Sequence, residues 1–302
     1  GGNWSATGTW VGGVVPTAAD DVVLASTSGN VTIDVNSVCR SLDCQASGNY
    51  AGTLAVASGV FLTIGDATAG AGNRALRFSA TMTHNTGGDR GFIFASSSAT
   101  VQTVTTAGKQ PGVVLFGTGA VSPSYQLADA LSCATGATVT LTRGTLDTNS
   151  QAVTCWAFSS SNSNTRTLTL GSSTITLTGA GATVWDTSTA TNLTLNAGTS
   201  TITASGAGPT LLFGSGLTFG SLTLSGSGTA QIVSGGSATF ANITRAGTAA
   251  KTDAFSVGSG SWTVTGTFTV TGNSATNRVL VQSTTTGTAR TITAAAVSLS
   301  NA

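Results

Sequence analysis

The sequence predicts an all-β protein, a single-stranded parallel β-helix (β-solenoid) with irregular coils of roughly 20 to 29 residues. Three observations predict it. Residues 165–179, TRTLTLGSSTITLTG, and 191–206, TNLTLNAGTSTITASG, place apolar residues at every second position and Thr or Ser between them. That alternation is strand periodicity, with one apolar face and one hydroxyl-bearing face. The pattern then recurs: Leu168 and Leu170 return as Leu193 and Leu195, and Leu222, Ile243 and Val264 follow at steps of 21. Finally, Gly, Ser and Asn punctuate the strands throughout, as the turns of stacked coils require.

Composition narrows the class. Apolar residues make up 40% of the 302, enough for a substantial core. Charged residues are only 7%, far below the quarter or so of ordinary domains. All ten acidic residues are Asp, and the net charge is +1. The nine Arg residues are scattered singly, so no basic stripe for nucleic acid exists. Low charge with high hydrophobicity is the reverse of the disordered signature. No apolar run reaches the 18 residues needed to span a bilayer as a helix, so no membrane insertion is expected.

Taken in order, residues 1–24 read as an N-terminal cap segment, in which Trp4 and Trp10 cover the open apolar end of the first coil. The competing reading of this Trp pair is a sugar-stacking platform. Residues 25–302 read as one continuous solenoid, right-handed, of about a dozen coils and about 60 Å long at about 4.8 Å per coil. Within it Leu54 and Val56 recur as Leu76 and Phe78, a step of 22. Residues 66–90, richer in Gly and Asn, suggest an extended coil in which His84 is a polar loop residue. Residues 127–131 are too few for a helix. The chain reaches Ala302 without an evident polar cap, which suggests a fragment of a longer chain.

Several stretches carry a resemblance. The opening Asn3-Trp4, Trp10 with Gly12-Gly13, and PTAADDVV at 16–23 are followed by VCRSLDC at 38–44 and TLAVASGVFLTIG at 53–65. YQLADAL at 125–131, GATVTLTRGTLDTNSQAVT at 136–154, FSSSNSNTRTLTLGSSTITLTG at 158–179 and the closing NRVLVQS to SLSN complete the set. Together they resemble the Thr/Gly/Ser-rich β-solenoid repeat proteins of tailed phages and environmental bacteria. The resemblance implies a virion surface or fibre protein.

Candidate chemistry is sparse. Cys133 and Cys155 are 22 residues apart, close to one coil, so they are candidates for a disulfide or for stacked thiols. Cys39 and Cys44 have opposite strand parity and would need a bend at Arg40 and Ser41 to be bridged. No C-x-x-C pair suggests zinc. Asp20, Asp43, Asp66 and Asp89 recur every 23 residues, which invites a calcium ladder, yet the local coil step of 22 would break its register. With a single His and no Glu, no motif demands catalysis, and no catalytic, cofactor-binding or metal residue is assigned. The Thr-x-Thr runs at 167–169, 174–176, 201–203 and 263–265 resemble the flat Thr arrays of ice-binding solenoids. That reading requires Thr pairs in register, and the spacing drifts, so outward Thr is read as ordinary strand chemistry.

The expected function is therefore non-enzymatic and structural: a phage virion surface component, a tail fibre, spike or capsid decoration, used for projection or host attachment. The alternatives are a bacterial adhesin or extracellular filament subunit, and a polysaccharide-binding or polysaccharide-cleaving spike. Expected partners are other virion or surface proteins, further copies of the chain (a trimer if it is a fibre) and cell-surface glycans. The expected location is the virion surface or the extracellular space.

Overall fold

The computed structural model describes residues 1–119, 121–234 and 236–302. The chain divides into two compact units, Gly1–Val153 with Thr165–Thr167, and Thr154–Asn164 with Leu168–Ala302. Each is a parallel β-solenoid, and together they hold about 12 turns. The three-residue 3₁₀ turn Thr7–Thr9 is the one helical element among the described residues.

A turn of the first unit consists of three short strands separated by corners, for example Val31–Ile33, Ser37–Cys39 and Ser41–Asp43. The next turn lays Thr53–Val56, Phe61–Ile64 and Arg74–Arg77 beside them. Alternation then builds the core directly, because stacking in register puts like positions in one column. One column runs Val31, Leu54, His84; a second runs Leu62, Phe92, Val114, Val139; a third runs Leu42, Leu76, Val104, Leu127. Except for His84, all of these are at most 2% exposed.

In the second unit, Thr174–Leu177, Thr201–Ala204, Thr218–Leu224, Ala238–Ala246, Trp262–Thr271 and Ile292–Ser300 form one sheet. Ala157–Ser159, Thr183–Asp186, Thr210–Phe213, Thr229–Ser234, Ala254–Val257 and Leu280–Ser283 form another. After Leu193–Asn196 the third strand of the turn disappears, and strands of the first sheet lengthen from four residues to between seven and ten. Such a long strand has to bend within itself. It does so at register shifts between Phe240 and Ile243 and between Val264 and Thr267. A Cβ on Gly220, in this region, would lie 2.1 Å from the Ser200 carbonyl oxygen, so the backbones approach too closely for any side chain. Aromatic rings fill the interior: Phe158 stacks on Trp185 at 4.7 Å, and Phe240 on Trp262 at 5.5 Å.

Arg245 occupies an inward position in the column Leu224, Arg245, Val270 and is fully buried. Its guanidinium donates to the carbonyls of Gly226, Ala246 and Gly228 at 2.7–2.9 Å and to those of Leu224 and Ala254 at 3.2 Å. It thereby satisfies carbonyls that the adjoining backbone leaves unpaired.

Register departs from the sequence reading in three places. The Leu170 N–H donates to the Asn196 carbonyl, and Ile175 stands opposite Ile202, so this turn advances by 27 residues rather than 25. The error is two residues, which preserves the face of every side chain. Val264 pairs with Phe240, and Ile243 with Phe268, because the bulge inserts residues between them. Leu54 and Leu76 lie in different sheets of one turn: Leu54 pairs with Val31 and His84, Leu76 with Leu42 and Val104. The expected extended coil is present, since the Asp43-to-Arg77 step spans 34 residues.

Residues 1–24 are more than a cap. Gly2–Asn3 pairs with Val31 and Thr32, and Asp21–Val23 pairs with Ser41–Asp43, so the solenoid begins inside this segment. Between Ser124–Leu127 and Leu131–Ser132 the chain bends without a helical turn.

Candidate functional site

The densest polar constellation lies on the outer face of the first unit, where Asp21–Val23, Ser41–Asp43 and Arg74–Arg77 are neighbouring strands. Outward parity puts Asp21 opposite Ser41, and Asp43 opposite Arg77. Arg40, at the bend between two strands, turns its guanidinium onto both oxygens of Asp21. Asp21 Oδ1 also accepts from Ser41 Oγ at 2.5 Å and from the Ala71 N–H at 3.2 Å. Burial pushes the Asp21 carboxyl up, but hydrogen bonds from Arg40 and Ser41 outweigh it and hold the group below the ordinary carboxylate range. Asp43 receives Arg77 in bidentate fashion and lies 3.6 Å from Arg74. The N–H groups of Gln45 and Ala46 also donate to it.

The chemistry of this lattice is restraint. Each carboxylate is ionised, paired with a guanidinium and engaged by several donors, so neither is poised to exchange a proton near neutrality. What the lattice does is fix the corner between two strands of successive turns.

The four aspartates spaced by 23 do not form a ladder. Asp20 lies in the turn before a strand and is held below its ordinary range by hydrogen bonds from Thr17. Asp43 ends a strand, Asp66 follows Phe61–Ile64, and Asp89 sits in a turn before Gly91–Phe94. Hydrogen bonds from Ser58 and Arg90 pull the Asp89 carboxyl down to about 2. Among the described residues no three His, Cys or Asp side chains converge as a metal-binding set.

Trp4 is fully buried, and Trp10 meets it edge to face at 4.7 Å. Trp10 Nε1 donates to the Trp4 carbonyl at 2.7 Å, which locks the pair together. Beside Trp10 lies a half-open cavity of about 580 Å³, reaching from Val14 and Pro16 to Asp20 and Leu24. Cys39, Cys44, Cys133 and Cys155 stand as buried thiols. The chain bends at Arg40 between Cys39 and Cys44 without a disulfide joining them. Cys133 belongs to the first unit and Cys155 to the second. Burial pushes the Cys44 thiol up to about 12 and that of Cys39 higher, with Asp21 and Asp20 adding to the rise at Cys39.

His84 is a strand residue rather than a loop residue, within Thr83–Asn85. Its Nδ1 lies 2.9 Å from the Leu54 carbonyl oxygen, so Nδ1 carries the proton and donates. The ring contacts Phe78 at 4.9 Å and Phe92 at 5.7 Å between centroids, and Nε2 is buried without a partner. Burial lowers its pKa to about 4.

The largest surprise concerns threonine. The drift in spacing is absorbed at the corners, and the strands themselves stay in register. Thr176, Thr203, Thr223, Thr244 and Thr269 form an unbroken outward column. The signal was available in parity alone, since each follows an inward Ile, Leu or Phe by one residue. Comparison with protein-family models, with curated proteins and with solved structures returns no match.

Proposed function

We propose that this chain is a non-enzymatic structural protein of a virion surface, a tail fibre, spike or capsid decoration that projects from the particle or attaches it to a host. The observation that supports this reading is the outward column from Thr176 to Thr269, a long, uncharged, self-similar face on a filled interior. Every backbone group along such strands is bound to the turn above or below, which leaves a protease little extended chain to capture. Hydroxyls in place of charges keep the surface wetted whatever the salt concentration. The composition and the phage-like sequence style point the same way.

The test is to fractionate the source culture on a density gradient and locate peptides of this chain by mass spectrometry. Co-migration with DNA-filled particles at fixed stoichiometry is the expected result. Recovery with cell envelopes or DNA-free filaments would overturn the virion assignment in favour of an adhesin or filament subunit.

A further inference from the structure

We infer that the threonine face of the second unit is an ice-binding surface. Three outward columns lie side by side on one parallel sheet. The central column is Thr176, Thr203, Thr223, Thr244 and Thr269. Two residues before each stand Thr174, Thr201, Ser221, Asn242 and Thr267. Two residues after each stand Thr178, Ser205, Ser225, Ala246 and Thr271, so that only Asn242 and Ala246 lack a hydroxyl. No charged side chain occupies any of these positions. The one cation in these strands, Arg245, points inward and is fully buried.

The geometry selects the ligand. Hydroxyls repeat at about 4.8 Å between strands and about 6.7 Å along each strand. These intervals approach the oxygen repeats on exposed faces of hexagonal ice. Each Thr also presents a methyl group, over which water is driven to form a cage rather than a direct bond. β-Branching restricts χ1, and neighbouring turns fix the backbone, so little freedom remains to be lost when an ordered lattice docks. A soluble glycan or peptide would call for a concave site or a few convergent polar groups. A flat, uncharged, two-dimensional repeat suits a partner that is itself a flat repeat. The inference goes beyond the virion reading and holds wherever the chain is displayed.

The test uses the full chain, with ice as the probe: partition into slowly growing polycrystalline ice, and inhibition of ice recrystallisation. The expected result is enrichment in the ice fraction and loss of that enrichment in Thr203→Tyr and Thr223→Tyr. Thr210→Tyr, on another sheet of the same unit, should keep it. Thr223→Val preserves shape and methyl and guards against misfolding, and circular dichroism establishes that each variant retains its strands. Exclusion of the folded wild-type chain from ice would overturn the inference, as would Thr210→Tyr losing enrichment to the same extent as Thr223→Tyr. Failure here leaves the particle co-migration result untouched, so the two readings fall separately.

Discussion

Asp43 and Arg77 face each other across adjacent turns, and Nε and Nη2 of the arginine hold the two carboxylate oxygens at 2.8 and 2.7 Å. Asp43 is 6% exposed and is also the acceptor for the Gln45 and Ala46 N–H groups. Asp43→Ala should therefore destabilise the first unit by about 3 kcal/mol, because it strands a partly buried guanidinium and two backbone donors. Arg77→Met should cost only about 1 kcal/mol, since Arg74 remains near the carboxylate. Urea unfolding of both variants gives the comparison, and the asymmetry between them is the point at issue.

His84 predicts a pH dependence with a definite window. Its pKa is about 4 in the folded chain against an ordinary 6.5, because burial beside Phe78 and Phe92 penalises the imidazolium. Between these values the unfolded chain binds a proton that the folded chain refuses. Stability should thus fall as pH drops from 6.5 towards 4, by up to about 3 kcal/mol, and this contribution should level off below 4. It is the only histidine, and the lowered carboxyls of Asp20, Asp21, Asp34, Asp89 and Asp253 make their losses at more acid pH. Urea midpoints measured across this range should slope in the wild type and lie flat in His84→Phe.

Gln102 predicts a gain. It is fully buried in the column with Tyr125 and Leu146, and neither its amide nitrogen nor its amide oxygen has a hydrogen-bond partner. Replacing the amide with an apolar group of similar length removes that desolvation cost. Gln102→Met should raise stability by about 1–3 kcal/mol, read as a higher thermal midpoint. A lower midpoint would show that a buried water pairs the amide.

Cys39 and Cys44 predict silence. With both thiols buried and their pKa values raised, alkylation by iodoacetamide at mildly alkaline pH should leave their peptides unmodified in the folded chain. In concentrated guanidinium both should be modified, as peptide mass mapping would show.

The solenoid was legible because parity survives errors of register. Leu168 was matched to a residue two places from its true neighbour, and its inward face was still correct. Corners were not legible, since loops of any length are tolerated between strands, and a 34-residue step looks nothing like a 22-residue one. That is why Leu54 was equated with Leu76 and why the aspartates spaced by 23 looked aligned. The Asp21–Arg40 and Asp43–Arg77 pairs were hidden for the same reason: each joins residues whose separation depends on corner length. Arg245 could have been found, because it follows Ile243 at apolar parity. His84 was misread because Gly and Asn around it suggested a loop, whereas the strand Thr83–Asn85 forms against Thr53–Ala55 despite them.

The 27-residue advance that carries Thr174, Ile175 and Thr176 onto Thr201, Ile202 and Thr203 also carries Thr183 onto Thr210. An in-frame deletion from Ile175 to Thr201 would splice Thr174 to Ile202 and restore the same three-residue strand, with its neighbours already matched in shape. An in-frame duplication would do the reverse. Recombination between the gene's own repeats can therefore lengthen or shorten this protein by whole turns in a single event. A one-residue insertion inside a strand would instead turn its apolar residues to the solvent. Selection on such a gene acts on an inheritable turn count.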